Sequence, residues 1–295
     1  DEQHRFGVKQ RQALKQKNKD QCVPHLLSMT ATPIPRTLSL TLYGDLDISL
    51  IKTKPLGRQP VKTFLVPEKK RADAYKFIRE KIDDGQQAFV ICPLIDESDC
   101  LGVKSVTQEY QNLNDKIFPD IEIRMVHGQL KPEVKEKIMT DFRAKKFPIL
   151  IATSVIEVGV DIPGATLMII EGTERFGLSQ LHQFRGRIGR NNQESFCLLF
   201  TTDDSSLSTK RLQALSKTND GFKLAELDLE LRGAGEIFGT KQTGLVRLKI
   251  AQLSDVGLIK KAQTWAKQII GQEKYLSYTD LQKLLQTLKT EMHLE

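Results

Sequence analysis

The stretch QLHQFRGRIGR, residues 180–190, holds the side chains best suited to chemistry. It sets Gln183, Arg187 and Arg190 around two glycines. Guanidinium groups form paired hydrogen bonds to phosphate oxygens, and three arginines so close together repel one another unless an anion neutralises them. Glycine lets a backbone come close to a ligand. The stretch therefore predicts a phosphate-binding segment rather than an exposed basic helix.

A second group of reactive side chains, Asp-Glu-Gln-His, opens the sequence. Such an acidic pair usually stands at the end of a buried strand, where its carboxylates hold a hydrated magnesium ion and a water molecule beside a nucleotide phosphate. No strand precedes it in this sequence. The segment therefore predicts nucleotide chemistry without the element that would position it.

Between Gln59 and Asp203, short β-branched runs alternate with amphipathic stretches. Strands with helices between them predict a parallel, doubly wound α/β sheet. The expected strands are AFVICPLI, IEIRMVHG, PILIATS, TLMIIEG and SFCLLFT, and the expected helices are GVKSVTQEYQNLNDKI, KPEVKEKIMTDFRAKKF and LSQLHQFRGRIG. In the second of these helices Val134, Ile138 and Phe142 recur every four residues, so we expect all three in the core.

The segments on either side of this sheet differ from it. Before Gln59, HLLSMTATPIPRTLSLTLYG predicts a strand, a loop and a helix, and LDISLIKTKP predicts a last strand. Two or three strands cannot cover both faces of a parallel sheet, so residues 1–58 are expected to be the tail of a domain and a linker. After Asp203, two helical segments meet near the turn signal TNDG and lead into a glycine-rich loop. Trp265, on the apolar stripe of LIKKAQTWAKQII, is expected in a core.

Charge and cysteine content narrow the functional classes. The formal net charge of +7 and the isoelectric point of about 9.1 favour an anionic partner such as nucleic acid, although they also suit a soluble basic protein. The four cysteines show no metal-ligand spacing and suggest no disulfide framework, which indicates a reducing cytoplasm. No apolar run is long enough to span a bilayer, so a membrane role is not expected.

Together the quoted motifs resemble those of superfamily 2 helicases and translocases. DEQH, MTATPIPRT and QLHQFRGRIGR correspond to motifs II, III and VI in the right order, ILIATSVIEVGVDIPGATLMII to motif V, and MVHGQL to the segment before it. DEQHRFGVKQR, SMTATPIPRTL and above all DLELRGAGEIFGTKQTGL closely resemble the RecG family of bacterial DNA translocases, which remodel stalled replication forks. The last stretch resembles a translocation motif shared with the transcription-repair coupling factor, whose acidic box usually differs.

The resemblance implies a nucleotide site between two RecA-like lobes, with ATP and Mg²⁺ as cofactors. Asp1 would bind Mg²⁺, Glu2 would polarise the attacking water, and His4 would link the nucleotide to the DNA-contacting segments. Gly159 and Asp161 would face the nucleotide. Arg187 and Arg190, with Gln183 beside them in the motif, would reach across the cleft as arginine fingers.

The resemblance also implies DNA contacts that grip phosphates through hydroxyl and backbone N–H groups. The residues at the corresponding positions are Thr30, His127, Gly128, Thr153 and Ser154. Two structural alternatives stay open, because Thr30 could merely cap a turn and His127 could be a packed strand end. Arg232 and Gln242, in the glycine-rich loop region, are implied to couple nucleotide-driven motion to duplex DNA.

From these features the expected organisation is a remnant of a first RecA-like lobe with its linker over residues 1–58, a second lobe over 59–203, and a helical hairpin, translocation motif and terminal helices over 204–295. The sequence has no GxxxxGK[ST] phosphate loop and no counterpart of the wedge domain of RecG proteins. We therefore expect the carboxyl-terminal motor portion of a cytoplasmic, nucleoid-associated bacterial translocase that acts on forked or branched double-stranded DNA and is catalytically incomplete alone. The alternatives are a non-enzymatic duplex-binding module and the equivalent part of a coupling factor.

Overall fold

The computed structural model describes residues 59–93, 103–153, 164–190, 192–201, 206–232 and 256–271, together with residues 27, 29–31, 49–51, 53, 162, 279 and 282. Its centre is one sheet of six strands in the order β1-β6-β5-β2-β4-β3, in which every neighbouring pair is parallel. The strands are β1 Lys62–Val66, β2 Gln87–Ile91, β3 Ile123–Val126, β4 Ile149–Ala152, β5 Ala165–Ile170 and β6 Phe196–Phe200.

Helices connect the strands and cover both faces of the sheet. The helices are α1 Arg71–Asp83, α2 Val103–Asn112, α3 Pro132–Arg143, α4 Leu178–Arg185, α5 Ser206–Lys217, α6 Gly221–Arg232 and α7 Val256–Gly271. Short 3-10 turns at Glu68–Lys70 and Thr173–Arg175 precede α1 and α4, and a π-helical turn at Leu113–Ile117 ends α2. The predicted parallel, doubly wound α/β fold is confirmed.

Two apolar layers hold this arrangement together. Side chains alternate across each strand, so Phe89 and Ile91 of β2 enter one layer while Ala88 and Val90 enter the other. The first layer receives side chains from α3, α4, α5 and α6, and the second receives them from α1 and α2. Because helices cover both faces, β2, β4, β5 and β6 are buried along their whole length. That burial explains their nearly continuous apolar sequences.

One strand and the helix that follows it were not identified from the sequence patterns. KTFLV forms β1 at the edge of the sheet beside β6, and RADAYKFIREKID forms α1. Alternating exposure in β1 leaves Phe64 49% exposed, so the strand lacks the continuous apolar signal of its neighbours. An edge strand with one open side gives a weaker pattern than a central strand.

Two predicted core positions are wrong. Ile138 packs against the core and Phe142 is fully buried, but Val134 is 42% exposed. Residues spaced by four drift about 40° around a helix at each step, so with Phe142 at the centre of the stripe Val134 falls at its margin. Trp265, expected in a core, is 65% exposed on α7. An apolar stripe is buried only where another element packs on it, and no other complete helix or strand is described in that unit.

The predicted last strand before the linker is not found in the residues that can be checked. Ser49, Leu50, Ile51 and Thr53 are described and have no regular structure, and Ile51 is 89% exposed. A strand needs a neighbour to take up its backbone hydrogen bonds, and the described residues before Gln59 include no strand that could do so. The prediction for these four residues is therefore wrong. The rest of the predicted strand and helix lies outside the described residues.

The two helices predicted after Asp203 are present as α5 and α6, joined by the turn at residues 218–220. The Asp220 carboxylate accepts hydrogen bonds from the backbone N–H groups of Phe222 at 2.9 Å and Lys223 at 3.4 Å, which satisfies the first turn of α6. Residues 50–231 belong to one compact unit, and residues 1–49 with 232–295 belong to another. Every helix in the described ranges is too short or too polar to cross a lipid bilayer.

Candidate functional site

The carboxyl edge of the sheet, where the parallel strands end, gathers polar residues from neighbouring strands. His127 follows β3 and Thr153 follows β4. These strands pair with Val126 opposite Ala152, so the two residues leave the sheet side by side. Both are buried, with exposures of 8% for His127 and 2% for Thr153. The structure thus brings together two of the residues predicted to contact DNA.

His127, just after β3, is buried, and its surroundings favour the neutral form of its imidazole. Burial lowers its pKa, and the nearby Lys135 ammonium lowers it further. Its Nδ1 atom is buried and has no hydrogen-bond partner among the described residues. Lys135 Nζ donates to the carbonyl oxygen of Gly128 at 3.0 Å, and the Leu130 N–H donates to the His127 carbonyl at 3.3 Å. A neutral imidazole at this edge can exchange hydrogen bonds with a ligand but brings no charge.

The helix α4 runs back along the sheet, antiparallel to the strands. It is preceded by Thr173, whose hydroxyl donates to the carbonyl oxygens of Ile170 at 3.0 Å and Phe200 at 2.8 Å, at the carboxyl ends of β5 and β6. After α4, a Cβ added at Gly189 would lie 3.0 Å from Val61, just before β1. The end of the predicted phosphate-binding segment therefore lies at the amino edge of the sheet, opposite the edge that carries His127 and Thr153.

The predicted phosphate-binding residues are spread over the last turn of α4 and the chain that follows. Gln183 is half-buried within the helix. Arg187 is half-buried in the next turn, where its N–H donates to the Phe184 carbonyl at 2.9 Å. Arg190 is exposed. The structure therefore brings the three together on one short segment and leaves Arg190 the most accessible to a ligand.

The third arginine of this motif, Arg185, has a different role from the one its sequence neighbours suggest. Its side chain is 3% exposed and donates to the carbonyl oxygens of Leu215 at 2.7 Å and Thr218 at 3.0 Å. A third hydrogen bond, of 2.8 Å, joins it to His182 Nδ1. Burial lowers its pKa, but a guanidinium keeps its charge, so it must be satisfied within the protein. Arg185 needs no phosphate, and it fastens α4 to the end of α5.

The two glycines of the motif also meet the protein itself. Gly189 has φ of +69°, a left-handed conformation that favours glycine, and packs against Val61 and Ser195. A Cβ at Gly186 would lie 3.2 Å from the Gln183 carbonyl oxygen. The two glycines thus also have a structural reason, because they lie where α4 ends and the chain turns beside the sheet.

A buried ionic cluster at the carboxyl edge was not expected from sequence. Arg71 of α1 makes a bidentate ion pair with Glu171, which follows β5, at 2.9 and 3.1 Å, and its guanidinium stacks 4.8 Å from the centre of the Phe200 ring. Burial raises the pKa of Glu171 to about 7, the Glu109 carboxylate adds repulsion, and Arg71 offsets part of the shift. No spacing signal links residues so far apart in sequence. This group, defined as Arg71, Glu109 and Glu171, is called the Arg71 cluster below.

The remaining predicted site residues can be placed only in part. Thr30 is exposed and lies in the other compact unit. Gly128 is half-buried, and Arg232 is the last residue of α6. The others lie outside the described residues: Asp1, Glu2, His4, Ser154, Gly159, Asp161 and Gln242. The predicted Mg²⁺ ligand is among them, and the described residues contain no group of three side chains suited to hold a metal ion.

Two family models match consecutive segments of the chain. Residues 69–192 match the model of the helicase conserved C-terminal domain. Residues 218–294 match the model of ATP-dependent DNA helicase RecG, domain 3, C-terminal. The first match covers most of the sheet and ends just beyond Arg190. The second covers α6 and the glycine-rich loop.

Individual relatives agree with the family models. An ATP-dependent DNA helicase RecG from Synechocystis is 51% identical over 86% of this chain, and that from Thermotoga maritima is 47% identical over 91%. The chain spans only 30% and 34% of the lengths of these two relatives. A solved structure of RecG bound to a three-way DNA junction matches 88% of the chain and 32% of its own length, with a TM-score of 0.66 and 41% identity. By sequence and by fold, this chain belongs to the RecG family.

Proposed function

We propose that the chain supplies the second motor lobe of a RecG-type, ATP-dependent translocase that acts on branched double-stranded DNA. The observation that carries this proposal is the division of labour within one motif. Arg185 is buried and donates to carbonyl oxygens inside the protein, whereas the side chain of Arg187 is half-buried and that of Arg190 is exposed. The solved relative was bound to a three-way DNA junction, which supports the choice of branched DNA.

For the nucleotide, the proposal assigns Arg187 and Arg190 to the phosphates of ATP. Guanidinium groups aimed at a transferring phosphoryl group stabilise its charge in the transition state. Gln183, Gly159 and Asp161 would face the same ligand. Asp1, Glu2 and His4 would supply the Mg²⁺ ligand, the water-polarising carboxylate and the link to DNA. Mg²⁺ would neutralise phosphate charge when bound.

For DNA, the proposal assigns phosphate contacts to the carboxyl edge of the sheet. His127 and Thr153 emerge side by side there, with Gly128 and Ser154 next to them in the chain. A neutral imidazole and a hydroxyl can hydrogen-bond phosphate oxygens without reading sequence. Thr30 would contribute a further hydroxyl contact. These contacts would position the duplex while adding little to the salt dependence of binding.

For coupling, the proposal assigns the link between the two activities to α5, α6 and the loop that follows. Arg185 ties α4 to the α5–α6 turn through Leu215 and Thr218. A shift of the arginine segment on ATP binding would therefore move the helix pair. Arg232, at the end of α6, and Gln242 beyond it would pass that motion to the duplex. In a complete protein, Arg232→Ala or Gln242→Ala should lower fork unwinding steeply while largely sparing ATPase and DNA binding.

The domain roles follow from the same assignment. Residues 1–58 would belong to a first lobe and its linker, 59–203 to the second lobe, and 204–295 to the helical hairpin, translocation motif and terminal helices. The partners would be the first motor lobe and a wedge domain. The setting would be the bacterial cytoplasm, in association with the nucleoid. Residues 1–295 alone, which contain no phosphate loop, are expected to show no measurable ATP hydrolysis.

A chimera tests the proposal directly. The part of the Synechocystis relative that precedes its aligned region would be joined to this chain, and ATP hydrolysis would be measured with and without forked DNA. DNA-stimulated hydrolysis that disappears in the Arg190→Ala chimera supports the proposal. Duplex binding without any hydrolysis, in a chimera whose melting shows that it is folded, would contradict it and favour a non-enzymatic duplex-binding module.

A further inference from the structure

A basic groove runs between α5 and α6. Its volume is about 340 Å³. Lys210 and Lys217 line it from α5, and Lys223 lines it from α6. Ala214 and Leu227 give it an apolar floor, and Thr218 lies in the turn between the helices. The five residues Lys210, Lys217, Lys223, Thr218 and Leu227 define what is called the lysine groove below.

The charges of the lysine groove are not balanced within the described protein. All three lysines are exposed, and none has a carboxylate within 4.0 Å in the described part of the chain. No acidic side chain lines the groove among those residues. Asp228, on the same helix as Lys223, instead lies 3.6 Å from Arg211. Three like charges around one depression favour an anion that enters from solvent.

The groove is also fixed in place. The end of α5 is fastened by Arg185 through the carbonyl oxygens of Leu215 and Thr218. The start of α6 is capped by Asp220, whose backbone N–H donates to the Thr218 hydroxyl oxygen at 3.1 Å. Leu212, Leu215 and Leu224 anchor both helices in the core. The lysines therefore extend from a surface whose backbone is already ordered before a ligand arrives.

We infer that the lysine groove is a contact site for the phosphate backbone of double-stranded DNA, separate from the contacts at the carboxyl edge of the sheet. The identity of the partner rests on the proposed function, and the groove itself does not. Lys210 and Lys217 are two helical turns apart, or about 10 Å along the axis of α5. That length suits a polyanion with successive charges better than a single phosphate group.

Lysine chemistry agrees with a backbone contact that ignores sequence. An ammonium group is a mobile point charge, so it follows phosphates as they pass and does not impose the planar geometry of a guanidinium. The contrast with the arginine segment is therefore a chemical one. The groove would hold the duplex, while α4 would respond to the nucleotide. Arg185 of α4 joins these two parts through its hydrogen bonds to the end of α5.

The test is duplex binding by residues 1–295 with Lys210, Lys217 and Lys223 all changed to Gln. Fluorescence anisotropy with a labelled duplex of random sequence would be recorded between about 50 and 200 mM salt. The slope of log K against log salt is negative, and each lost phosphate contact reduces its magnitude by about 0.9. The triple variant should therefore show a slope smaller in magnitude by about 2 to 3. Its affinity at the lowest salt should fall about tenfold or more. Changing the same lysines to Arg should preserve both quantities.

A matched control keeps the change in net charge the same. Lys76, Lys116 and Lys137 are exposed on other helical surfaces of the same unit, and their triple change to Gln should leave the slope and the affinity within about twofold of the unchanged chain. Melting measured by circular dichroism shows whether each variant is folded, and the three single variants should each remove about one third of the effect.

Any one of four outcomes would overturn the inference. The groove variant could bind duplex with unchanged affinity and slope, or the control could weaken binding as much as the groove variant does. Alternatively, the groove variant could lose affinity for polyglutamate but not for duplex, which would identify an acidic protein partner. The last is the absence of any duplex binding by the unchanged chain at the lowest salt. The ATPase of the chimera judges the proposed function independently of all these outcomes.

Discussion

The carboxyl edge of the sheet and the end of α4 both bury ionisable side chains, but they differ in how the charge of those side chains is handled. At the carboxyl edge, burial lowers the pKa of His127 and raises that of Glu171 to about 7, so both groups shift toward their neutral forms. At the end of α4, Arg185 cannot lose its charge and is instead surrounded by carbonyl oxygens. Burial in the first region favours the neutral forms of His127 and Glu171, whereas the second region supplies hydrogen-bond acceptors for a charge that persists.

This difference separates structural charges from those that can serve a ligand. A charge already satisfied inside the protein, as at Arg185, has little left to offer an anion. Arg190 and the three lysines of the groove are exposed, so a ligand in solvent can reach them. Function in the α4 region is therefore expected to depend on charge and salt, and function at the carboxyl edge on neutral hydrogen bonds.

The largest effect on stability is expected at Arg185. Arg185→Met keeps the apolar bulk but leaves the carbonyl oxygens of Leu215 and Thr218 without their donor, so the free energy of unfolding should fall by about 3 kcal/mol. Arg187→Met is the matched control and should lower it by less, because that side chain is only half-buried. Urea denaturation of residues 1–295 followed by circular dichroism measures both. Equal losses of unfolding free energy would show that Arg185 is no more important to the fold than Arg187.

The next effect concerns pH and the Arg71 cluster. The pKa of Glu171 is raised from 4.5 to about 7 in the folded protein. The proton therefore stabilises the fold below pH 4.5, and that contribution is lost as the pH rises to about 7. Raising the pH from about 5 to 8 should therefore lower the free energy of unfolding by about 2 kcal/mol.

Glu171→Gln removes this titration while it keeps a hydrogen-bond acceptor for Arg71. The difference in unfolding free energy between the unchanged chain and the variant should therefore depend on pH, and the subtraction cancels the opposite contribution of His127. Urea titrations at several pH values give this difference. A difference that stays constant across the range would mean that Glu171 remains ionised throughout and that burial does not control its proton.

The smallest effect is expected at the carboxyl edge. Thr153→Val removes one hydroxyl without changing charge, so the affinity of the chimera for duplex should fall by about three- to tenfold, and the salt dependence should stay the same. Thr63→Val, in the edge strand β1, serves as the control and should leave binding unchanged. A lower salt slope for Thr153→Val would contradict the assignment of neutral contacts to this edge, as would unaltered affinity.

The sequence predicted the sheet well because central strands and covering helices leave strong patterns. β2, β4, β5 and β6 are buried on both faces, and their apolar runs are nearly continuous. The half-exposed β1 has no such run and was missed. Val134 and Trp265 were misjudged because periodicity identifies an apolar stripe but cannot say how far a neighbouring element extends along it.

The candidate site was predictable where chemistry is local and unpredictable where it depends on distant partners. Gln183, Arg187 and Arg190 lie on one segment, as their spacing implied. Arg185 has the same residue type in the same segment, and only the fold shows that Leu215 and Thr218 come to meet it. The Arg71 cluster joins residues 100 positions apart. No motif or period records such a contact, because it arises from the order of strands in the sheet.

The measurement that tests the account most directly is ATP hydrolysis and melting on the same preparations of the chimera carrying Arg190→Ala or Arg185→Met. For Arg190→Ala we expect DNA-stimulated hydrolysis to fall by about 10³-fold with an unchanged melting temperature. For Arg185→Met we expect the melting temperature to fall and hydrolysis to follow only where the protein unfolds. If Arg190→Ala kept its hydrolysis, or lowered melting as much as Arg185→Met does, the division between an internal and a ligand-facing arginine would be wrong.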